Sequence, residues 1–251
     1  VYIPTSAPSP DFFGGHRQGD NLYSNSVVAL AATTGDVVWH RQLVHHDVWD
    51  YDTPAQPVLV DVDLGNGKVP ALIQVTKTGM IYVLDRRTGA ALIPIEERPV
   101  PSGGVADERL SPTQPFSTLP PIARQNAITD EDMFGIALFD KWGCQTRLEQ
   151  YRTGDIFTPP SLAGTLMNPG YAGGANWGGV AVAADKGLAV TFVNEIPAVV
   201  RLVPREEFDA DNRPEKMDAS AMLGTPYIME RIPFLSALGL PCTQPPWGRL
   251  V

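Results

Sequence analysis

A short acidic segment with two histidines and a tryptophan is the first place in the sequence where chemistry is expected. Segment 45–52 reads HHDVWDYD. If it is extended, Asp50 and Asp52 point to the same side, because side chains alternate along a strand. Converging carboxylates repel each other and call for a cation or a raised pKa, and calcium prefers such oxygen ligands. From spacing alone, a solvated acidic turn with His45 and His46 as surface or packing residues is the competing interpretation.

The elements around this segment are predicted to be short strands joined by glycine turns. Gly35 and Gly89 each follow a threonine, 54 positions apart, and supply the positive φ that a tight hairpin turn requires. The predicted hairpins are 25–30 with 33–39, 80–84 with 90–93, and 179–183 with 188–193. Such spacing predicts an all-β fold of propeller blades with about four strands each. A β-sandwich would give the same spacing.

Two long stretches and one short helix are expected between the hairpins. Stretches 94–119 and 205–225 look like loops, and their length suggests covers, insertions or mobile segments. Segment 130–139 is predicted to carry a short helix capped by Thr129 or Asp130.

Composition excludes several classes of function. The 251 residues include 24 Pro and 23 Gly, which argues against a helical bundle. The net charge of −9 without a Lys/Arg run excludes a nucleic-acid partner. No apolar stretch is long enough to span a bilayer, and segment 1–4 is predicted to be a strand already in progress. Cys144 and Cys242 lack the spacing of a zinc site and could pair in an oxidising compartment, which the sequence leaves open.

Segment 46–52 resembles the active-site segment of the quinoprotein dehydrogenases, which use pyrroloquinoline quinone. The continuation 53–57 (TPAQP) is more similar to the membrane-bound glucose/quinate/shikimate branch than to the methanol dehydrogenases. Further similar motifs occur in order at 77–89, 111–116, 158–161, 169–171, 176–179 and 241–248. The resemblance therefore covers nearly the whole chain.

The resemblance implies an eight-bladed propeller with the cofactor above a bound cation, which is Ca²⁺ or another divalent or trivalent ion. Asp50 would be the catalytic base that takes the proton of the substrate hydroxyl while hydride passes to the quinone. Asp50 and Asp52 would also ligate the cation, although a polar turn residue is an equal interpretation of Asp52. The cation would polarise the quinone carbonyl.

The resemblance also implies three cofactor-binding residues. Lys77 matches the basic residue that contacts the quinone oxygens, where an ammonium favours the reduced cofactor. Asn194 matches an asparagine beside the cofactor, and Trp177 belongs to a family motif. Taken alone, these residues would be a solvated strand-end lysine, an ordinary polar strand end and a core aromatic.

Two departures from the family pattern are visible. Ala7 stands where the family usually has an asparagine that ligates the metal, and it offers no side-chain oxygen. In addition, eight blades of about 50 residues need at least ~400 residues. Residues 1–251 are therefore expected to form a single partial propeller domain that lacks upstream and final blades and the membrane anchor, and to be inactive alone.

The function implied by the resemblance is oxidation of a polyol, cyclitol (quinate- or shikimate-like) or sugar hydroxyl. Electrons would pass to membrane ubiquinone at the periplasmic face of the bacterial inner membrane, with membrane contact only through segments outside this chain. A non-catalytic propeller that has lost metal binding and acts as an interaction module is the alternative. Ala7 favours the alternative, whereas Asp50, Lys77 and Asn194 count against it.

Overall fold

The protein is described here by a computed structural model that covers residues 1–65, 67–209 and 218–251. Within these ranges the chain forms fifteen strands and one α-helix, α1 (Leu138–Leu148). The strands are β1 (Tyr2–Pro4), β2 (Ser26–Leu30), β3 (Val37–Gln42), β4 (Val58–Asp63), β5 (Lys68–Val75), β6 (Ile81–Asp85), β7 (Ile95–Pro99), β8 (Thr113–Ser117), β9 (Thr165–Met167), β10 (Val180–Ala183), β11 (Leu188–Asn194), β12 (Ala198–Pro204), β13 (Asp218–Ala221), β14 (Tyr227–Pro233) and β15 (Gly248–Leu250).

The strands form small antiparallel sheets of two to four strands. Consecutive strands pair in β1–β2–β3, β4–β5–β6 and β7–β8. The other two sheets have the orders β13–β14–β12–β9 and β10–β11–β15, so each includes one strand that is distant from the others in sequence. Small antiparallel sheets built mainly from neighbouring strands agree with the predicted all-β fold.

The hairpin predictions are confirmed at two of three places. Gly35 has φ +79° in the turn between β2 and β3, and Gly187 has φ +63° between β10 and β11. The predicted strand 90–93 is wrong, because Ala91 makes only an isolated bridge to Leu84. The turn before it closes tightly, with the Gly89 amide bonded to the Asp85 carbonyl at 2.8 Å, and the chain then leaves β6.

The predicted loops contain more regular structure than expected. Stretch 94–119 carries β7 and β8, so it is not a simple loop. Stretch 205–225 carries a 3-10 turn (Arg205–Glu207) and β13, and its part 210–217 lies outside the described residues.

The helical segment differs from its prediction in type and extent. Thr129 is the N-cap of a 3-10 turn (Asp130–Asp132), as its position suggested, and its amide and hydroxyl donate to the Asp132 carboxylate at 2.8 and 3.0 Å. The α-helix begins only at Leu138 and continues to Leu148, beyond the predicted end. Its buried Cys144 forms a disulfide with Cys242, which settles the pairing that the sequence left open.

The main hydrophobic core lies directly behind the acidic segment. The largest side chains in this core are aromatic and include Trp49, Tyr51 and Phe157. The Trp49 and Phe157 rings meet edge to face with centroids 5.2 Å apart, a favourable arrangement for aromatic pairs. In the described ranges, no helix is long and apolar enough to cross a membrane.

Candidate active site

The acidic segment lies between β3 and β4 and turns sharply instead of extending. Asp50 adopts a left-handed conformation with φ +59°, and His46 does so with φ +44°. The segment is therefore not extended, and strand-like alternation does not determine where Asp50 and Asp52 point. The Asp47 carboxylate causes the turn by accepting hydrogen bonds from the Trp49 amide (2.7 Å) and the Tyr51 amide (2.8 Å).

The aromatic neighbours of Asp50 anchor the turn in the core. Trp49 and Tyr51 are fully buried. The Trp49 indole donates to the Thr158 carbonyl at 2.9 Å, and the Tyr51 hydroxyl donates to the Pro169 carbonyl at 2.9 Å. Because the side chains on both sides of Asp50 point inward, Asp50 itself is left at the surface of the core.

Lys77 brings the two aspartates together. It lies in the turn between β5 and β6 and is only 6% exposed, which contradicts the solvated-lysine interpretation. Its Nζ lies 3.2 Å from Asp50 Oδ1 and 2.7 Å from Asp52 Oδ2. It also donates to the Asp50 carbonyl at 2.8 Å. The convergence predicted for Asp50 and Asp52 is thus achieved through a shared ammonium.

The site holds more carboxyl groups than the single Lys77 ammonium can neutralise, and the pKa values of Asp50 and Asp47 are raised. Burial raises the pKa of Asp50 to about 7; Lys77 opposes the rise, and the charges of Asp52 and Asp47 add to it. Burial also raises the pKa of Asp47 to about 6, although hydrogen bonds to its carboxylate oppose the rise. The site therefore holds two carboxyl groups whose pKa values are raised towards neutral pH.

Glycines let the backbone pass directly over Lys77. A Cβ on Gly173 would lie 2.4 Å from Lys77 Cγ, and Gly173 has φ +78°, so only glycine fits there without displacing the lysine. The next residue, Gly174, donates to the Lys77 carbonyl at 2.6 Å and accepts from the Asn194 amide at 2.8 Å. Gly174 therefore links the backbones of Lys77 and Asn194, and the role of Asn194 beside the cofactor stays a prediction.

Trp177 is not brought into this cluster. Its indole is 83% exposed, and its amide bonds to the neighbouring Asn176 side chain at 2.8 Å. Core packing, the competing interpretation of this tryptophan, is wrong. Its role as a cofactor contact stays a prediction.

The metal ligands that this chain offers are incomplete. Within the described ranges, no group of three or more His, Cys, Asp or Glu side chains is arranged to hold a metal ion. Ala7 contributes only its amide, which donates to Asp52 Oδ1 at 2.6 Å. Asp50 and Asp52 therefore fit part of a cation's oxygen shell, with the Lys77 ammonium already between them.

The histidines support the site from outside. His46 is buried with Nδ1 at 2.6 Å from the Gly19 carbonyl, and His45 lies between the side chains of Gln42 (2.7 Å) and Glu97 (3.1 Å). Both imidazoles bind framework groups, so neither is positioned to ligate a cation beside the aspartates.

Two residues close to the cluster were missed by sequence reasoning. Burial is the largest cause of the raised pKa of Asp11, and the charge of Asp52 is the second. Asp11 therefore lies close to the cluster. Asn25 is fully buried and donates to Asp47 Oδ2 at 2.7 Å. The pairing of β2 with β3 brings Asn25 beside segment 45–52, and the pairing of β1 with β2 brings the part of the chain that leads to Asp11 to the same side.

Comparison with known proteins identifies the fold and the family together. The sequence profile of the family described as "PQQ: Glucose/ethanol/alcohol dehydrogenase, beta-propeller domain" matches residues 1–251. The chain belongs to this family. The match confirms the resemblance drawn from the motifs and the assignment of the small antiparallel sheets to part of a β-propeller, and it implies the cofactor pyrroloquinoline quinone.

Curated members of the family align with the whole chain. It is 41% identical over 256 residues to the quinoprotein glucose dehydrogenase of Escherichia coli, an alignment that covers 99% of this chain and 32% of the relative. It is 37% identical over 261 residues to the quinate/shikimate dehydrogenase (quinone) of Acinetobacter baylyi, covering 100% of this chain and 32% of the relative. The chain thus spans about a third of the length of these relatives.

Two solved structures of dehydrogenases share the fold. A europium-containing methanol dehydrogenase superposes with a TM-score of 0.54 at 23% identity, covering 90% of this chain and 30% of that one. The quinohemoprotein alcohol dehydrogenase from Comamonas testosteroni gives a TM-score of 0.54 at 21% identity, covering 100% and 30%.

Proposed function

We propose that this chain is one part of a single propeller domain, in an enzyme that oxidises a sugar, polyol or cyclitol hydroxyl with pyrroloquinoline quinone. The observation that carries the proposal is the cluster in which Lys77 holds Asp50 and Asp52, in a chain that matches the family over residues 1–251. The named relatives include glucose, quinate/shikimate and glycerol dehydrogenases, which bounds the class of substrate.

Asp50 acts as the general base in this proposal. An alcohol C–H gives up hydride more readily as its O–H loses a proton, so a carboxylate beside the hydroxyl accelerates the step. Burial raises the pKa of Asp50, so its carboxylate has a stronger affinity for the proton than an exposed aspartate has. The left-handed backbone fixes the carboxylate relative to Lys77.

Lys77 and Asn194 are proposed to hold the cofactor. When bound, pyrroloquinoline quinone supplies the two-electron acceptor of the reaction. The buried Lys77 ammonium offers the positive charge that favours its oxygens, and Asn194 joins Lys77 through Gly174. Trp177 is proposed as a further contact from its family motif, with its exposed indole available to a ligand.

Asp50 and Asp52 are proposed to contribute ligands to a Ca²⁺ ion, or to another divalent or trivalent cation. A cation would offset the excess negative charge that contributes to the raised Asp50 pKa. Ala7 lacks a side-chain oxygen, so the remaining ligands would come from the cofactor, water or other parts of the enzyme.

The proposed electron acceptor is membrane ubiquinone, at the periplasmic face of the bacterial inner membrane. The disulfide between Cys144 and Cys242 supports an oxidising compartment, because structural disulfides persist there and are rare in the cytosol.

The test uses the longest reading frame that encodes this chain, purified and loaded with cofactor and Ca²⁺. We expect reduction of an artificial electron acceptor with glucose, quinate, shikimate or glycerol, abolished by a chelator and restored by Ca²⁺. Absence of turnover with every substrate, despite bound cofactor, would favour the interaction module that Ala7 suggests. Turnover that survives complete metal removal would refute the proposed cation.

A further inference from the structure

The turn that carries Asp50 is held by a buried carboxylate and a buried amide. Asp47 is fully buried and accepts from the backbone amides of Trp49 (2.7 Å) and Tyr51 (2.8 Å), which flank Asp50 in the chain. Asn25 uses one side-chain amide to donate both to Asp47 Oδ2 (2.7 Å) and to the Tyr51 carbonyl (3.0 Å).

These bonds fix the backbone that joins the two aspartates of the site. The Tyr51 amide belongs to the peptide group between Asp50 and Tyr51, and the Tyr51 carbonyl belongs to the next one, which leads to Asp52. Asp47 therefore holds the first peptide group and Asn25 the second. The carbonyl of the first group accepts from Lys77 at 2.8 Å, so that group is held at both ends.

Asp50 needs such a restraint because its backbone conformation is unfavourable. A non-glycine residue with φ +59° persists only where its surroundings hold it. Asp47 is itself fixed, since its carbonyl accepts from Arg17 Nη2 at 2.6 Å. A carboxylate completely removed from water is costly unless hydrogen-bonded, and all three bonds that compensate it serve this one turn.

We propose that Asp47 and Asn25 are positioning residues that hold the Asp50 carboxylate in its reactive orientation. The inference rests on the proposed role of Asp50 as the base. A group that positions a base acts on the transition state, so its loss lowers kcat and kcat/KM together and leaves KM nearly unchanged. A small misplacement of a reacting group costs up to about 100-fold in rate.

The test compares Asp47→Asn and Asn25→Gly with Asp85→Asn in the enzyme encoded by the longest reading frame. Asp47→Asn replaces the oxygen that faces two donors with an amide nitrogen, and Asn25→Gly removes the bridging amide while tolerating its φ of +47°. Asp85 is a matched control, because it is buried and caps another turn through the Arg87 amide at 2.9 Å. Hydrogen exchange of the Trp49 and Tyr51 amides gives a second readout that does not depend on turnover.

We expect kcat of Asp47→Asn and Asn25→Gly to fall by about 10- to 100-fold with KM changed less than about threefold, and both amides to exchange faster than in the control. If Asp47→Asn does not fold, Asn25→Gly carries the same comparison. Turnover and amide exchange equal to those of Asp85→Asn, in an enzyme that Asp50→Asn inactivates, would overturn the positioning role alone. Unchanged turnover of Asp50→Asn would instead overturn the proposed base, and the exchange rates would still decide whether Asp47 holds the turn.

Discussion

At the scale of single residues, the site depends on one lysine that serves several oxygens. Lys77 Nζ contacts the carboxylates of Asp50 and Asp52 and the Asp50 carbonyl. Burial of the lysine limits competition from water, so these contacts are stronger than those of an exposed ion pair. The single positive charge leaves negative charge in excess, which suits a site that binds a cation and removes a proton.

Asp47 makes the stability of the chain depend on pH. Its pKa in the folded chain, about 6, lies above the ordinary value of 3.8, so the folded chain binds the proton more tightly than the unfolded chain. This stabilising contribution is complete below about pH 4 and is lost as the pH rises through about 6. We compare the free energy of unfolding of the unsubstituted chain with that of Asp47→Asn. We predict that the difference between them decreases by about 1–3 kcal/mol from about pH 4 to pH 7.

Urea unfolding of both proteins in chelator at the two pH values measures this change. Asp85→Asn is the control, because Arg87 lowers the pKa of Asp85 to about 2 and both of its pKa values lie below this window. If the difference in unfolding free energy between the chain and Asp47→Asn stays constant or increases with pH, the Asp47 pKa is not raised in the folded chain.

At the scale of elements, the side chains of the candidate site lie in turns, and glycine allows the neighbouring backbone to approach them closely. Lys77 lies in the β5–β6 turn, and the loop through Gly173 covers it closely. The strands themselves contribute little side-chain chemistry to the site. They fix where their connecting turns meet.

Gly173→Ala is predicted to destabilise the chain more than Gly187→Ala. Both glycines have positive φ, but an added Cβ meets Lys77 at position 173 and open space at position 187. The shared backbone penalty cancels in the comparison, which leaves the clash, worth about 1–3 kcal/mol for overpacking. Denaturant unfolding of the two variants measures the difference. Equal destabilisation would mean that Lys77 yields to the methyl group without cost.

The sequence predicted the turns whose residue chemistry is local and missed those set by packing. Gly35 and Gly187 correctly predicted the turns of their hairpins, and Thr129 correctly predicted a capped turn. The predicted strand 90–93 is reduced to an isolated bridge between Ala91 and Leu84, and α1 is joined by a disulfide to the distant Cys242; no local pattern reveals either feature.

The site was predictable in its motif residues and not in their arrangement. Asp50, Asp52 and Lys77 meet as the motifs implied. The left-handed turn at Asp50 and the support from Asn25 were not foreseen, because a buried hydrogen bond between residues 22 positions apart leaves no periodic signal. Ala7 was expected only as a missing ligand, yet its backbone amide binds Asp52.

At the scale of the whole molecule, we propose that the chain supplies one part of a larger ring of blades. It spans about a third of its curated relatives and contains the proposed base, cation ligands and cofactor lysine. A cofactor site formed by only part of the propeller would lack some of its walls, so bulk water would reach the bound cofactor.

We predict that the 251-residue chain alone shows no cofactor-dependent turnover. Assays with cofactor, Ca²⁺ and an artificial electron acceptor measure this, with the product of the longest reading frame as the positive control. Turnover by the isolated chain would show that these sheets suffice to build the catalytic site.

The most direct test of the account is kcat of Asp50→Asn in the enzyme encoded by the longest reading frame, with Asp61→Asn as the control. Asp61 is an exposed strand residue paired with Arg86, so its substitution leaves the site untouched. We predict that kcat of Asp50→Asn falls by about 10²- to 10⁴-fold, the usual contribution of a general base, while the control keeps its rate. An Asp50→Asn enzyme that turns over at the rate of the control would contradict the assignment of Asp50 as the base.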